Sequence, residues 1–128
     1  MFSIHSTSSK RELVFSAHKD EYFHVELKGF DVSASTNVWA YTDAQVLNEL
    51  FQDLGRLKRP WQGQRNWASI EGEFSLSATC TSLGNVTFRI TLLGLRGAPE
   101  EWRVEAGLET DFGQLEQIAK HAGLFFNA

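Results

Sequence analysis

The chain has 128 residues, 42% of them apolar and 22% charged, a composition that suits one globular α+β domain over residues 1–128 and excludes a disordered or collagen-like polymer. Cys80, the single cysteine, can form no internal disulfide, and residues 1–20 lack the basic start and apolar run of a signal peptide, so a cytoplasmic location is expected, with no membrane partner. The net charge of −4 is unevenly laid down: residues 1–55 hold four basic and eight acidic groups, residues 56–65 four basic and none acidic, and residues 66–128 again four and eight. An acidic chain with one short basic island is a poor nucleic-acid binder, because such binding draws on a broad basic footprint.

Leu13, Phe15 and Ala17 alternate with Val14, Ser16 and His18, and Phe23, Val25 and Leu27 alternate with Tyr22, His24 and Glu26. This period of two predicts a β-hairpin closed around Lys19–Glu21. A third extended stretch places Val38 and Ala40 inward and Trp39 and Tyr41 on the opposite face. Thr42 and Gln45 have the spacing of a capping box ahead of a helix. Val46, Leu47, Leu50, Phe51 and Leu54 form its apolar stripe, Asn48, Glu49, Gln52 and Asp53 its polar side, and Gly55 its cap or kink. After a loop through Pro60 and Gly63, Phe74, Leu76, Ala78 and Cys80 alternate with serine and threonine, and a turn at Gly84–Asn85 leads to Val86, Phe88, Ile90 and Leu92. These predict a second hairpin. A strand from Trp102 to Leu108 and a closing helix with Leu115, Ile118, Ala119 and Ala122 inward complete the chain, Asp111 and Gln114 standing at the helix start.

Residues 42–55 set over residues 110–123 align Thr42 with Thr110, Asp43 with Asp111, Leu47 with Leu115 and Gly55 with Gly123. The order is therefore a pseudo-repeat of three strands and a helix. Each half is marginal for a core of its own, so the expectation is a shared antiparallel sheet of about six or seven strands with both helices on one face.

Chemistry-bearing residues are sparse. His18, His24 and Glu26 share a hairpin but lack the spacing of a metal motif, so no metal and no cofactor are expected. Cys80 continues an inward phase and reads as a small apolar packing residue rather than a nucleophile. Asp43 and Asp111 occur where a helix dipole favours a carboxylate. The segment from Arg56 to Trp67 combines Arg56, Lys58, Arg59 and Arg65 with Trp61 and Trp67. Such a mixture binds anions or partner pockets, and equally seals a core edge where the chain crosses between halves. Trp39, Tyr41, Tyr22 and His24 mark a second aromatic group on the helix-free sheet face, a composition enriched in interfaces.

The run Trp61-x-Gly63-x-x-x-Trp67-x-Ser69-x-x-Gly72-x-Phe74-x-Leu76-x-Ala78 resembles a pattern in an uncharacterised family of small bacterial proteins. The Gly84-Asn85-Val86 turn, the Trp102–Leu108 strand and the closing Gln114-Leu115 and Phe125-Phe126 pairs extend the likeness over most of the chain. The resemblance implies a fold and a bacterial origin and no activity. Small acidic α+β chains of this kind are also similar in composition to immunity proteins of toxin systems.

Three functional readings follow. A non-catalytic protein-binding module, of the immunity-inhibitor kind, leads, with a protein partner or homodimer mate; its binding residues are Trp39, Tyr41, Arg59, Trp61, Arg65 and Trp67. A small-ligand or anion-binding domain around Arg59, Arg65 and Trp67 is the alternative. An enzyme using His24 and Glu26 as acid and base is the third; no catalytic residue is assigned with it.

Overall fold

The computed structural model describes residues 1–127. Strands β1 (Phe2–His5), β2 (Glu12–Lys19), β3 (Tyr22–Gly29) and β4 (Val32–Trp39) form one antiparallel sheet in chain order, followed by helix α1 (Asp43–Arg56). Strands β5 (Arg65–Ala68), β6 (Phe74–Cys80), β7 (Asn85–Gly94) and β8 (Trp102–Asp111) form a second sheet of the same order, followed by a short 3-10 turn (Phe112–Gln114) and helix α2 (Leu115–Phe126). The expected single sheet of six or seven strands is thus two sheets of four strands each, and the repeat is four strands and a helix. The missing strand of each half is its first. β1 and β5 are only four residues long, too short for alternation to stand out.

The sheets share one apolar core with the helices. Phe15, Phe23, Phe74 and Phe88 are fully buried in it. Each helix reaches across to the other half. Phe126 of α2 meets the rings of Phe15 and Phe23, and Phe51 of α1 meets Phe88. The Trp67 indole of β5 donates 3.0 Å to the Asp43 carbonyl at the start of α1.

Several local expectations are corrected. The hairpin alternation breaks between Ser16 and Lys19, where a bulge places Ala17 at φ 52°. One extra residue inverts the phase, so Ala17 is exposed and His18 turns to the rings of Phe125 and Phe126. Neither expected cap forms. Thr42 makes no side-chain cap bond. The Asp43 carboxylate instead accepts the Ile70 N–H at 2.8 Å and so ties α1 to the β5–β6 turn. Asp111 makes no cap bond either, and α2 begins four residues later than the alignment implies. Val46 is exposed and Asn48 is buried, because Asn48 faces α2 and holds Gln52, whose Nε2 donates to Asn48 Oδ1 and to the Ala119 carbonyl. Gly55 is no cap. It lies inside α1, and a Cβ there would stand 2.5 Å from the Cβ of Ala119, so the glycine lets the two helices close together.

Candidate functional site

The outer face of β3 and β4 carries the aromatic group. Tyr22 and Trp39 stand opposite each other in register. The Ala40 N–H bonds to the Glu21 carbonyl at 2.7 Å, which makes Tyr22–Trp39 the neighbouring non-hydrogen-bonded pair, where side chains lie closest. Tyr41 stacks on Trp39 with centroids 6.4 Å apart and planes at 12°. Tyr22 is 53% exposed and Tyr41 63%, while Trp39 is half-buried.

Two carboxylates fix Trp39. Its indole N–H donates to Glu21 Oε2 at 3.0 Å and its backbone N–H to Glu73 Oε2 at 2.9 Å. Glu73 is itself held by the buried Ser69 hydroxyl at 2.7 Å. Neither acid is signalled by the sequence, since Glu21 lies in a turn and Glu73 comes from the other half of the chain. The aromatic faces are therefore pre-positioned, with the one indole donor already satisfied, and Glu21 and Glu73 set negative charge beside Trp39 while Lys19 stands opposite Tyr22 in register.

The other predicted binding residues fall into two separate pairs, Arg59 with Trp61 and Arg65 with Trp67. Trp61 and Trp67 are 8% and 6% exposed, so both tryptophans seal the core, and the Trp61 Nε1 is buried without a hydrogen-bond partner among the described residues. Arg59 lines a cavity of about 450 Å³ with Trp61, Gln62, Cys80 and Ser82. Arg65 lines a separate one of about 300 Å³ whose wall includes Glu49 and Asp53. Carboxylates beside Arg65 oppose an anion there. Arg56 is taken up by Asp53 at 3.1 Å.

His24 Nδ1 lies 2.8 Å from Asn37 Oδ1, and Glu26 faces Lys28 at 3.9 Å, so the two do not act on one another as an acid–base pair. Among the described residues, no three His, Cys, Asp or Glu side chains gather as a metal site. Cys80 is half-buried, and burial raises its thiol pKa, an effect the Trp61 backbone hydrogen bond only partly reverses. An activated thiolate needs the opposite shift.

The model of DUF6228, a family of unknown function, matches residues 5–128. The chain belongs to that family. No curated protein and no solved structure matches it. Membership agrees with the expected likeness to an uncharacterised family, and it brings no activity with it. No helix among the described residues is long and apolar enough to cross a membrane.

Proposed function

We propose that this member of DUF6228 is a non-catalytic protein-binding module, of the kind that inhibits a basic partner as immunity proteins do, with Tyr22, Trp39 and Tyr41 at the centre of its contact surface. The observation that carries the reading is the stack of exposed Tyr41 on half-buried Trp39, with Trp39 held in place by Glu21 and Glu73 before any partner arrives. Rigid aromatic anchors dominate interface energetics because little side-chain entropy is lost on binding. The acidic groups around the stack suit a partner that presents lysine or arginine, drawn in by long-range attraction and seated over the ring faces. Anion binding at the basic island is less well supported, since Arg59 and Arg65 line different cavities.

Affinity capture from the host, compared between the native chain and the Trp39→Ala and Tyr41→Ala variants, tests the proposal. One protein of basic pI is expected to be retained by the native chain and lost from both variants while their melting temperatures stay near native. Equal retention by all three, or no specific capture, would overturn it.

A further inference from the structure

Residues 56–65 hold four basic groups and no acid, but two of the four have carboxylates beside them in the fold. Arg56 pairs with Asp53 at 3.1 Å, and Arg65 lines a cavity whose wall includes Glu49 and Asp53. Lys58 and Arg59 are exposed and make no ion pair among the described residues. The uncompensated positive charge of the island is thereby concentrated at these two neighbours.

Arg59 lines its cavity of about 450 Å³ together with Trp61, Gln62, Cys80 and Ser82, and that size suits a small molecule. No carboxylate of the described residues stands in the wall. The wall is instead rich in donors: the Arg59 guanidinium, the Ser82 hydroxyl, the Gln62 amide and the Trp61 indole N–H. The indole N–H is buried and has no acceptor among the described residues, whereas those of Trp39 and Trp67 are satisfied by Glu21 and by the Asp43 carbonyl. A buried donor left without an acceptor is costly, and a ligand oxygen would remove that cost. Cys80 brings no negative charge, because its Sγ donates to the Thr81 carbonyl at 3.3 Å and burial raises its pKa. Pro60 fixes its own φ and Gly63 turns the chain at φ 81°, so the loop is shaped before a ligand arrives.

We infer that this cavity binds a phosphoryl group, carried by a small monoester or present as free phosphate, with Arg59, Ser82 and the Trp61 indole N–H as its donors. A guanidinium meets two phosphate oxygens with its fork. The hydroxyl and the indole N–H serve the oxygen lone pairs that remain, and three terminal oxygens match donors from three residues better than the two of a carboxylate do. Lys58, adjacent in the chain, adds attraction for a dianion. The site shares no residue with the Tyr22, Trp39 and Tyr41 surface, so it stands or falls independently of the protein-binding reading.

The probes are phenyl phosphate and inorganic phosphate, titrated at constant ionic strength, with acetate as the carboxylate control. Nitrogen–proton correlation NMR follows the indole N–H of each tryptophan. Saturable binding of at least one phosphate probe is expected, with a downfield shift of the Trp61 indole proton, no comparable shift at Trp39 or Trp67, and a melting temperature that rises with ligand. Arg59→Gln changes an exposed side chain and should leave the ligand-free melting temperature near native while weakening binding about tenfold or more. Trp61→Phe keeps an apolar ring, removes the N–H and should weaken binding several-fold. Arg56→Gln, outside the cavity wall, should bind as the native chain does. Tighter binding of phenyl phosphate supports the proposal with a monoester as the ligand, and tighter binding of inorganic phosphate supports it with the free anion. Acetate bound as tightly as either, no saturation by any probe, an unmoved Trp61 resonance, or native affinity in Arg59→Gln would overturn it.

Discussion

At Gly55 the usual rule for helix interiors is reversed. Exchanging glycine for alanine within a helix ordinarily stabilises by up to about 1 kcal/mol, but here the added methyl meets Ala119 at 2.5 Å, and overpacking costs about 1–3 kcal/mol. Gly55→Ala is therefore expected to lower unfolding stability in urea by about 1 kcal/mol, and Ala119→Gly in the same chain to restore part of the loss. Gly113→Ala, where nothing lies within 4 Å of the added atom, is the control and should be near neutral. Cys80 supplies a second residue-scale test. Because burial raises its pKa, alkylation near neutral pH should run several-fold slower than that of a free cysteine peptide. The sign for stability follows from linkage: a thiol whose folded pKa is raised contributes fully below its unfolded pKa, and that contribution is lost as pH rises through the raised value. A chain whose thiol reacts at the free rate would contradict the burial described.

The β3–β4 hairpin turns on Phe30 and Asp31, both in the left-handed region at φ 52° and 69°. This is the geometry that two-residue hairpins require, and it is normally met by asparagine and glycine. Arg11 offsets the strain by bonding the Phe30 carbonyl and lying 5.4 Å from the Phe30 ring centroid. Asp31→Gly should stabilise the chain by about 1 kcal/mol, since a non-glycine residue in that region costs of that order. Arg11→Lys should do the reverse. An ammonium cannot reproduce the forked contacts to Gly107 and Phe30, and with solvent screening the loss is about 1 kcal/mol. Chemical denaturation of both variants checks the pair, and a neutral Arg11→Lys would mean that the bridge from the Phe30 turn to Gly107 contributes little.

At the scale of the molecule the two halves are interlocked. Phe2 of β1 stacks on Phe15 at 5.0 Å and meets Phe51 of α1 at 5.6 Å and Phe125 of α2 at 6.3 Å, so one side chain joins a sheet to both helices. Phe2→Ala is expected to cost about 3–5 kcal/mol, a large share of the stability of a domain this size. Residues 1–57 alone would lack the rings of Phe74, Phe88, Phe125 and Phe126 that cover Phe15, Phe23 and Phe51. That fragment is expected to show no cooperative thermal transition by circular dichroism; a sharp one would contradict a shared core.

Alternation of apolar and polar residues along Phe74–Cys80 and Val86–Leu92 was enough to place a hairpin and its inner face, because burial on one side imposes a period of two whatever the rest of the chain does. The helices were legible for the same reason at their own period, and the outward position of Trp39 and Tyr41 followed from phase alone. Short edge strands, the bulge at Ala17 and the exchanged helices left no such mark. Val32, Ala34 and Thr36 alternate with Ser33 and Ser35, but the contrast between alanine and serine is too small to announce a strand. The grip of Glu21 and Glu73 on Trp39 and the burial of Trp61 and Trp67 depend on residues far apart in the chain. Periodicity records which side of an element meets the core. Which other element lies there, and whether two edges close or stay apart, is settled only when the whole core packs.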